Sequence, residues 1–198
     1  KKVIKMGTTI PIKSKGKLEQ FRNYYRNIDY NPRNYALIVL GLNSALRIGD
    51  ILSLRWNDVY SIQKRKYREH ISISEKKTRK KNVLAINTSL REALEFYRRS
   101  LNAYEEDTFI FISQKSPHEN ISRSQAYRII KKAAESCGLD HHVSCHSLRK
   151  TFGYHAWKNG FPPALLMNIY NHSSYDITKR YLCIDQMEKD EVYLKTFL

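Results

Sequence analysis

Between Tyr35 and Ala45 the chain is too uniformly hydrophobic for a surface helix, which would show an apolar stripe on one side only. Pro32 stands just ahead of this stretch, where helices commonly begin. The segment therefore reads as a core helix, and this one expectation restricts the fold more than any other. With 198 residues, 41% of them hydrophobic, the chain suits one domain, or one domain with a small appendage, and can bury a proper core.

The remaining elements follow from periodicity and punctuation. Lys17 to Arg26 alternates aromatic and charged residues at helical spacing, and Gly49 to Leu54 continues from the core helix as a short helix that Trp56-Asn57-Asp58 ends. From Tyr60 to Asn87 the pattern changes. Ile71 and Ile73 alternate with Ser72 and Ser74, and Val83, Leu84 and Ile86 follow a polar stretch, which predicts a small antiparallel sheet with a basic hairpin. Ser89 to Leu101 and Ser124 to Cys137 are again helical, the second ended by Gly138, with a short strand at Phe109 to Ile112 between them. His146 to Asn159, Pro163 to Tyr170, Tyr175 to Leu182 and Gln186 to Phe197 complete a mainly α fold with a small antiparallel β-sheet, an α+β arrangement.

Charge narrows the partner. Lys and Arg number 35 against 19 Asp and Glu, a net charge of +16, which predicts steering toward a polyanion and salt-dependent affinity. Nine basic and two acidic residues fall between Lys64 and Lys81; Lys64, Arg65, Lys66, Lys76, Arg79, Lys80 and Lys81 are candidate DNA contacts. Six lysines and no acid precede Leu18, so residues 1–16 read as a loose basic arm lying on phosphates or in solvent. The longest apolar run, Ala36 to Leu42, is far below the roughly 20 residues that a bilayer needs, so no membrane span and no membrane partner is expected. Cys137, Cys145 and Cys183 follow no disulfide spacing, which fits reduced thiols and a cytoplasmic setting. His141, His142, Cys145 and His146 raise the question of zinc, but no second ligand pair stands at a finger-like distance, and no metal or other cofactor is expected.

Arg47, His146, Arg149, His172 and Tyr181 are the groups needed to attack a phosphodiester without a metal. Arginine forks stabilise the charge that develops on the nonbridging oxygens. His146 and Arg149 are three residues apart, hence on one helix face. A tyrosine with an ordinary pKa near ~10 is mostly protonated, but cations favour the phenolate and an adjacent histidine can take its proton. The leaving 5′ oxygen needs a proton in turn, which Lys77 in the basic hairpin can deliver. Each residue taken singly also has an ordinary reading: Arg47 as a salt bridge to Asp50, His146 and Arg149 as a surface pair, His172 as a loop histidine, and Tyr181 as a packed ring.

The set taken together, Arg47-Ile48-Gly49-Asp50, Lys77-Thr78, His146-Ser147-Leu148-Arg149 and Asn171-His172-Ser173-Ser174 ending at Tyr181, resembles the ordered motifs of tyrosine site-specific recombinases, the phage integrase family. The resemblance runs from about Asn34 to Leu182. It implies the catalytic-domain fold of that family and a site-specific recombinase that cleaves and rejoins DNA through a 3′-phosphotyrosyl intermediate, without metal or ATP. It further implies Tyr181 as nucleophile, Arg47, Arg149 and His172 on the scissile phosphate, Lys77 as general acid with His146 assisting, and Asp50 positioning Arg47 or His146. Lys77 is favoured over Lys76 by its place in the hairpin and by the family's Lys-Thr pattern.

The implied partners are double-stranded DNA, further copies of the chain in a tetramer on DNA, and in some settings an accessory DNA-bending protein; the source would be a bacterium, a phage or a mobile element. Residues 17–184 would be the catalytic domain. Residues 185–198, where four acids face two lysines, would form a C-terminal helix docking on a neighbouring subunit. The chain departs from the family in two places. Tyr170-Asn171 stands where Leu-Gly is usual before the second histidine; asparagine best replaces glycine at positive φ. Only 46 residues precede Arg47, too few for a separate helical core-binding domain, so either a short single-domain recombinase or a fragment fits. Two other functions share parts of the pattern: a non-catalytic DNA-binding protein, and a type IB topoisomerase-like relaxing enzyme. A metal-dependent nuclease is disfavoured by the absence of clustered carboxylates.

Overall fold

A computed structural model of the chain describes residues 9–77, 79–116, 118–139 and 142–196. Residues 1–8 of the basic arm, Thr78, His141, Phe197 and Leu198 lie outside the described residues. Asn31 starts the core helix by accepting the Asn34 amide at 3.0 Å, and α2 then runs over Pro32–Ser44. Residues 34–41 are all buried, as the unbroken apolar run requires. Helices α1 (Lys15–Asn27), α5 (Thr88–Arg98) and α7 (Cys145–Lys158) enclose α2. The α7 crossing is close at Gly41, where a Cβ would come 2.5 Å from Leu148 Cδ1.

The β region is two small antiparallel sheets instead of the expected one. After the short helices α3 (Ile48–Ile51) and α4 (Trp56–Val59), β1 (Tyr60–Ser61) pairs with β2 (Lys66–Tyr67). β3 (His70–Ser74) pairs with β4 (Lys81–Ala85), placing Ile71 opposite Leu84. Between the two, Arg68 donates its amide to Val59 and Glu69 accepts from Ile86, which turns the chain out of the first ladder before the second begins. Trp56-Asn57-Asp58 is a helical turn of its own, begun by Asp58 accepting the Arg55 amide at 2.7 Å. The strand expected at Phe109 to Ile112 is reduced to single bridges, Arg55 to Phe109 and Ile112 to Asn120, because each partner is an isolated loop residue; Ile110 and Phe111 are nevertheless fully buried.

The later helices follow the sequence reading: α6 (Arg123–Ser136), α7, α8 (Pro163–Tyr170), α9 (Tyr175–Tyr181) and α10 (Gln186–Lys195). One local expectation changes. The described part of the arm is not loose: Ile12 is buried and its amide donates to Thr151 Oγ1 at 2.9 Å, while Ser14 starts α1 at Lys15, with Gly16 inside the first turn. The C-terminal helix contacts its own chain through Glu188, which accepts from Tyr154 Oη at 3.2 Å, and Glu191, which pairs with Lys158. No helix among the described residues is long and apolar enough to cross a membrane.

Candidate active site

Tyr181 is the last residue of α9. Its ring stands edge-on to His172 at 5.1 Å and to His146 at 6.0 Å, and is tilted against Tyr170 at 5.1 Å. Its hydroxyl is buried and makes no hydrogen bond of ordinary geometry among the described residues. Burial pushes the phenol pKa up, while the nearby Arg149 and Arg47 guanidiniums act in the opposite direction. Burying a phenol without a partner is costly, so the arrangement suits a group that waits for a ligand atom.

Arg149 is almost completely buried on the inner face of α7. It donates to the Ala45 carbonyl and, at 3.5 Å, to the Tyr170 carbonyl, and lies 4.7 Å over the Tyr170 ring. Those carbonyls sit at the C-terminal ends of α2 and α8, where the helix dipole is negative and favours a cation. Tyr170 explains its own departure from the family pattern. Its hydroxyl donates to the Arg149 carbonyl at 2.7 Å, and its ring carries both the guanidinium and a stacked His172. The site is closed behind by Gly153 of α7, where a Cβ would meet Tyr170 Oη at 2.4 Å and Leu182 Cδ2 at 2.6 Å. Asn171 adopts φ 55°, so the turn that usually takes glycine is kept.

His172 shares its Nδ1 with Thr178 Oγ1 at 3.0 Å. Burial lowers its pKa, and Arg149 and Arg47 lower it further. His146 occupies the first turn of α7, which Ser144 and Ser147 cap by the Ser144 amide donating to Ser147 Oγ at 3.0 Å. His146 keeps an edge in solvent, yet packing around its ring lowers its pKa, as do Arg149, Lys150, Arg47 and Lys77. Both shifts favour the neutral imidazole, the form that can accept a proton.

Arg47 leaves the chain at the start of α3, immediately after the core helix. It is paired with Glu75, which is fully buried and also accepts from Asn82 at 3.1 Å. The sequence reading missed Glu75, taking it as one acid in a basic run. Asp50, expected to orient Arg47 or His146, instead accepts the Lys76 amide at 3.0 Å and so fixes the base of the β3–β4 hairpin. Lys77 lies exposed in that hairpin, close enough to His146 to depress its pKa. Lys76, Arg79, Lys80 and Lys81 surround it, and Lys64, Arg65 and Lys66 line the β1–β2 turn, all exposed. The fold thus brings Arg47, His146, Arg149, His172 and Tyr181 together in one cluster, with Lys77 at its edge. Among the described residues no three His, Cys, Asp or Glu side chains are grouped to hold a metal ion.

The phage integrase family model matches residues 17–188. The chain belongs to the phage integrase family. It is 40% identical over 176 residues to a probable integrase/recombinase, YoeC, of Bacillus subtilis, covering 89% of this chain and 90% of that protein. It is 28% identical to a tyrosine recombinase of Pseudothermotoga lettingae, covering 80% of this chain and about half, 52%, of that protein. Among solved structures, XerA recombinase superposes with a TM-score of 0.75 at 19% identity, over 96% of this chain and 67% of that one. A XerH site-specific recombinase bound to its difH substrate gives 0.69 at 18%, over 94% and 52%. These structures establish the fold as that of tyrosine recombinase catalytic domains. With family membership goes the class of activity: the chain is a DNA recombinase of the tyrosine type.

Proposed function

We propose that Tyr181 attacks a phosphodiester of duplex DNA, forming an Oη–P bond as the P–O5′ bond breaks, and leaves a 3′-phosphotyrosyl link. The observation that carries this reading is the buried Tyr181 hydroxyl, which makes no hydrogen bond of ordinary geometry among the described residues and stands next to the Arg149 guanidinium, with the Arg47 charge also acting on it. The two guanidiniums and His172 hold the phosphate, and they stabilise the charge of the transition state more than that of the ground state. His146, its ring centroid 6.0 Å from that of Tyr181, takes the phenol proton, and Lys77 supplies one to the departing 5′ oxygen. A 5′ hydroxyl from a second duplex reverses the step, so bond energy is conserved and neither ATP nor a metal enters. Asp50 acts by fixing the hairpin that carries Lys77, and the exposed cations of the two turns lie along the DNA backbone.

The assembly on DNA is a tetramer in which α10 of one copy seats on the next. Two features support this: Val192, Tyr193 and Leu194 of α10 are exposed, and an apolar groove of about 490 Å³ is lined by Leu42, Phe152, Phe161, Leu165, Leu166 and Ile169. Residues 17–184 form the catalytic unit, and the three unpaired cysteines suit a reducing cytoplasm.

The test is a nicked suicide substrate that traps the cleaved strand. Wild type gives a protein–DNA band on a denaturing gel, and Tyr181→Phe gives none while still shifting DNA in a native gel. A covalent band that survives Tyr181→Phe, or no band from wild type, overturns the assignment. Plasmid relaxation without recombinant products would mark a topoisomerase-like enzyme.

A further inference from the structure

Lys150, next to Arg149 in α7, is 5% exposed, and among the described residues no carboxylate pairs with it. Its ammonium donates to the Thr9 carbonyl at 2.6 Å, lies 3.9 Å from Cys183 Sγ, and sits 5.2 Å from the centroid of the Tyr181 ring. A buried ammonium without a counter-ion is unfavourable unless acceptors and a π face replace water. Among the described residues, the oxygen acceptor bonded to it is the Thr9 carbonyl, from the segment ahead of α1. That segment is itself fastened to α7: the Ile12 amide donates to Thr151 Oγ1 at 2.9 Å, and His155 Nε2 bonds the Ile12 carbonyl at 2.9 Å. Lys13 ties it to α10 through Glu188 at 2.5 Å.

We propose that Lys150 is a positioning residue that couples the segment Thr9–Ser14 to the tyrosine at 181, so that seating of that segment sets where the phenol ring stands. When the segment lifts away, the ammonium loses its carbonyl and has to leave the ring for water. The ring then loses the cation beneath it. Movement of whatever DNA or protein holds the segment would thus be felt at the nucleophile. The inference rests on the assignment of Tyr181 as nucleophile, but its physical content is a coupling between two places in the fold that can be measured without catalysis.

Hydrogen exchange tests the coupling directly. Thr151→Val removes the anchor of the Ile12 amide and, among the contacts described, touches none of residues 181–184. It should speed exchange at Leu182, Cys183 and Ile184, whose amides are bonded within the α9 exit, by about tenfold. Lys150→Met should do the same, and the double variant should add little further. Loosening of Thr9–Ser14 in Thr151→Val with unchanged exchange at 182–184 overturns the proposal.

Covalent-complex formation gives the second measure. Lys150→Met should slow the step about tenfold at saturating DNA while DNA affinity stays within about twofold, and Lys150→Arg should recover most of the rate. An unaffected rate in a folded Lys150→Met variant overturns the proposal. Should that variant fail to fold, the exchange of Thr151→Val decides it. Failure of the Tyr181 assignment would instead appear as wild type forming no covalent band while the exchange coupling persists.

Discussion

The two walls of the pocket are built differently. The wall made by α7, α8 and α9 is packed and committed: Arg149 lies on Tyr170 between two helix ends, His172 is held by Thr178, and Gly153 leaves no space behind them. The wall made by α3 and the β3–β4 hairpin is open. Arg47 is half-buried against Glu75, and Lys77 projects from a turn of cations. Groups that hold a phosphate gain from being set before it arrives, because their reorganisation is then not spent at the moment of reaction. A proton donor for the leaving oxygen has to reach into the substrate, and the hairpin whose base Asp50 fixes through the Lys76 amide presents Lys77 on its exposed turn.

The largest effect should come from the open wall. Lys77→Ala should slow cleavage of a nicked suicide substrate by about 10²–10⁴-fold, the usual contribution of a general acid, whereas Lys76→Ala should change it by less than about tenfold. A substrate whose leaving oxygen is replaced by sulfur needs little protonation and should restore Lys77→Ala selectively; equal loss with both substrates would remove Lys77 from the chemistry. On the packed wall, Arg149→Lys keeps the charge but loses the fork. It should cost about 10²–10³-fold in the same assay, with DNA binding little changed, and a near-normal rate would show that the fork is not what the phosphate sees.

Gly153→Ala tests rigidity itself. Adding a methyl against Tyr170 and Leu182 should lower stability by about 1–3 kcal/mol in urea unfolding, and an unchanged midpoint would mean that this wall can yield. The smallest expected effect is on pH dependence. His146 and His172 have pKa values below the ordinary histidine value, so the unfolded chain binds protons more readily. Stability of the DNA-free protein should therefore fall as pH drops below about 6.5, the unfolded value. Replacing both histidines with glutamine should flatten that part of the curve; a curve that keeps its slope places the cause elsewhere.

Much of this was legible in the chain. The apolar run at Tyr35 to Ala45 becomes the buried α2, and the His146–Arg149 spacing does set both on one helix face, with His146 at the rim and Arg149 on the floor. Asn171 does take the positive φ expected of it. What was not legible shares a cause, since partners separated by many residues leave no periodic trace. Glu75 looks like a stray acid among lysines, yet it is wholly buried because Arg47, 28 positions earlier, comes back to it. The arm reads as loose because lysines dominate it, although Ile12 and the Thr9 carbonyl find Thr151 and Lys150 some 140 residues away.

The sequence by itself determined the inventory: a core helix, a cationic surface, and an ordered set of two arginines, two histidines, a lysine and a tyrosine. Local spacing and residue chemistry suffice for those, because hydrophobic period and motif order are properties of neighbours along the chain. Only the tertiary structure decided which carboxylate meets Arg47, which carbonyls receive Arg149, and what lies beneath Tyr181. Those outcomes depend on how helices far apart in the chain cross and on which buried polar groups are left to satisfy one another once water is excluded.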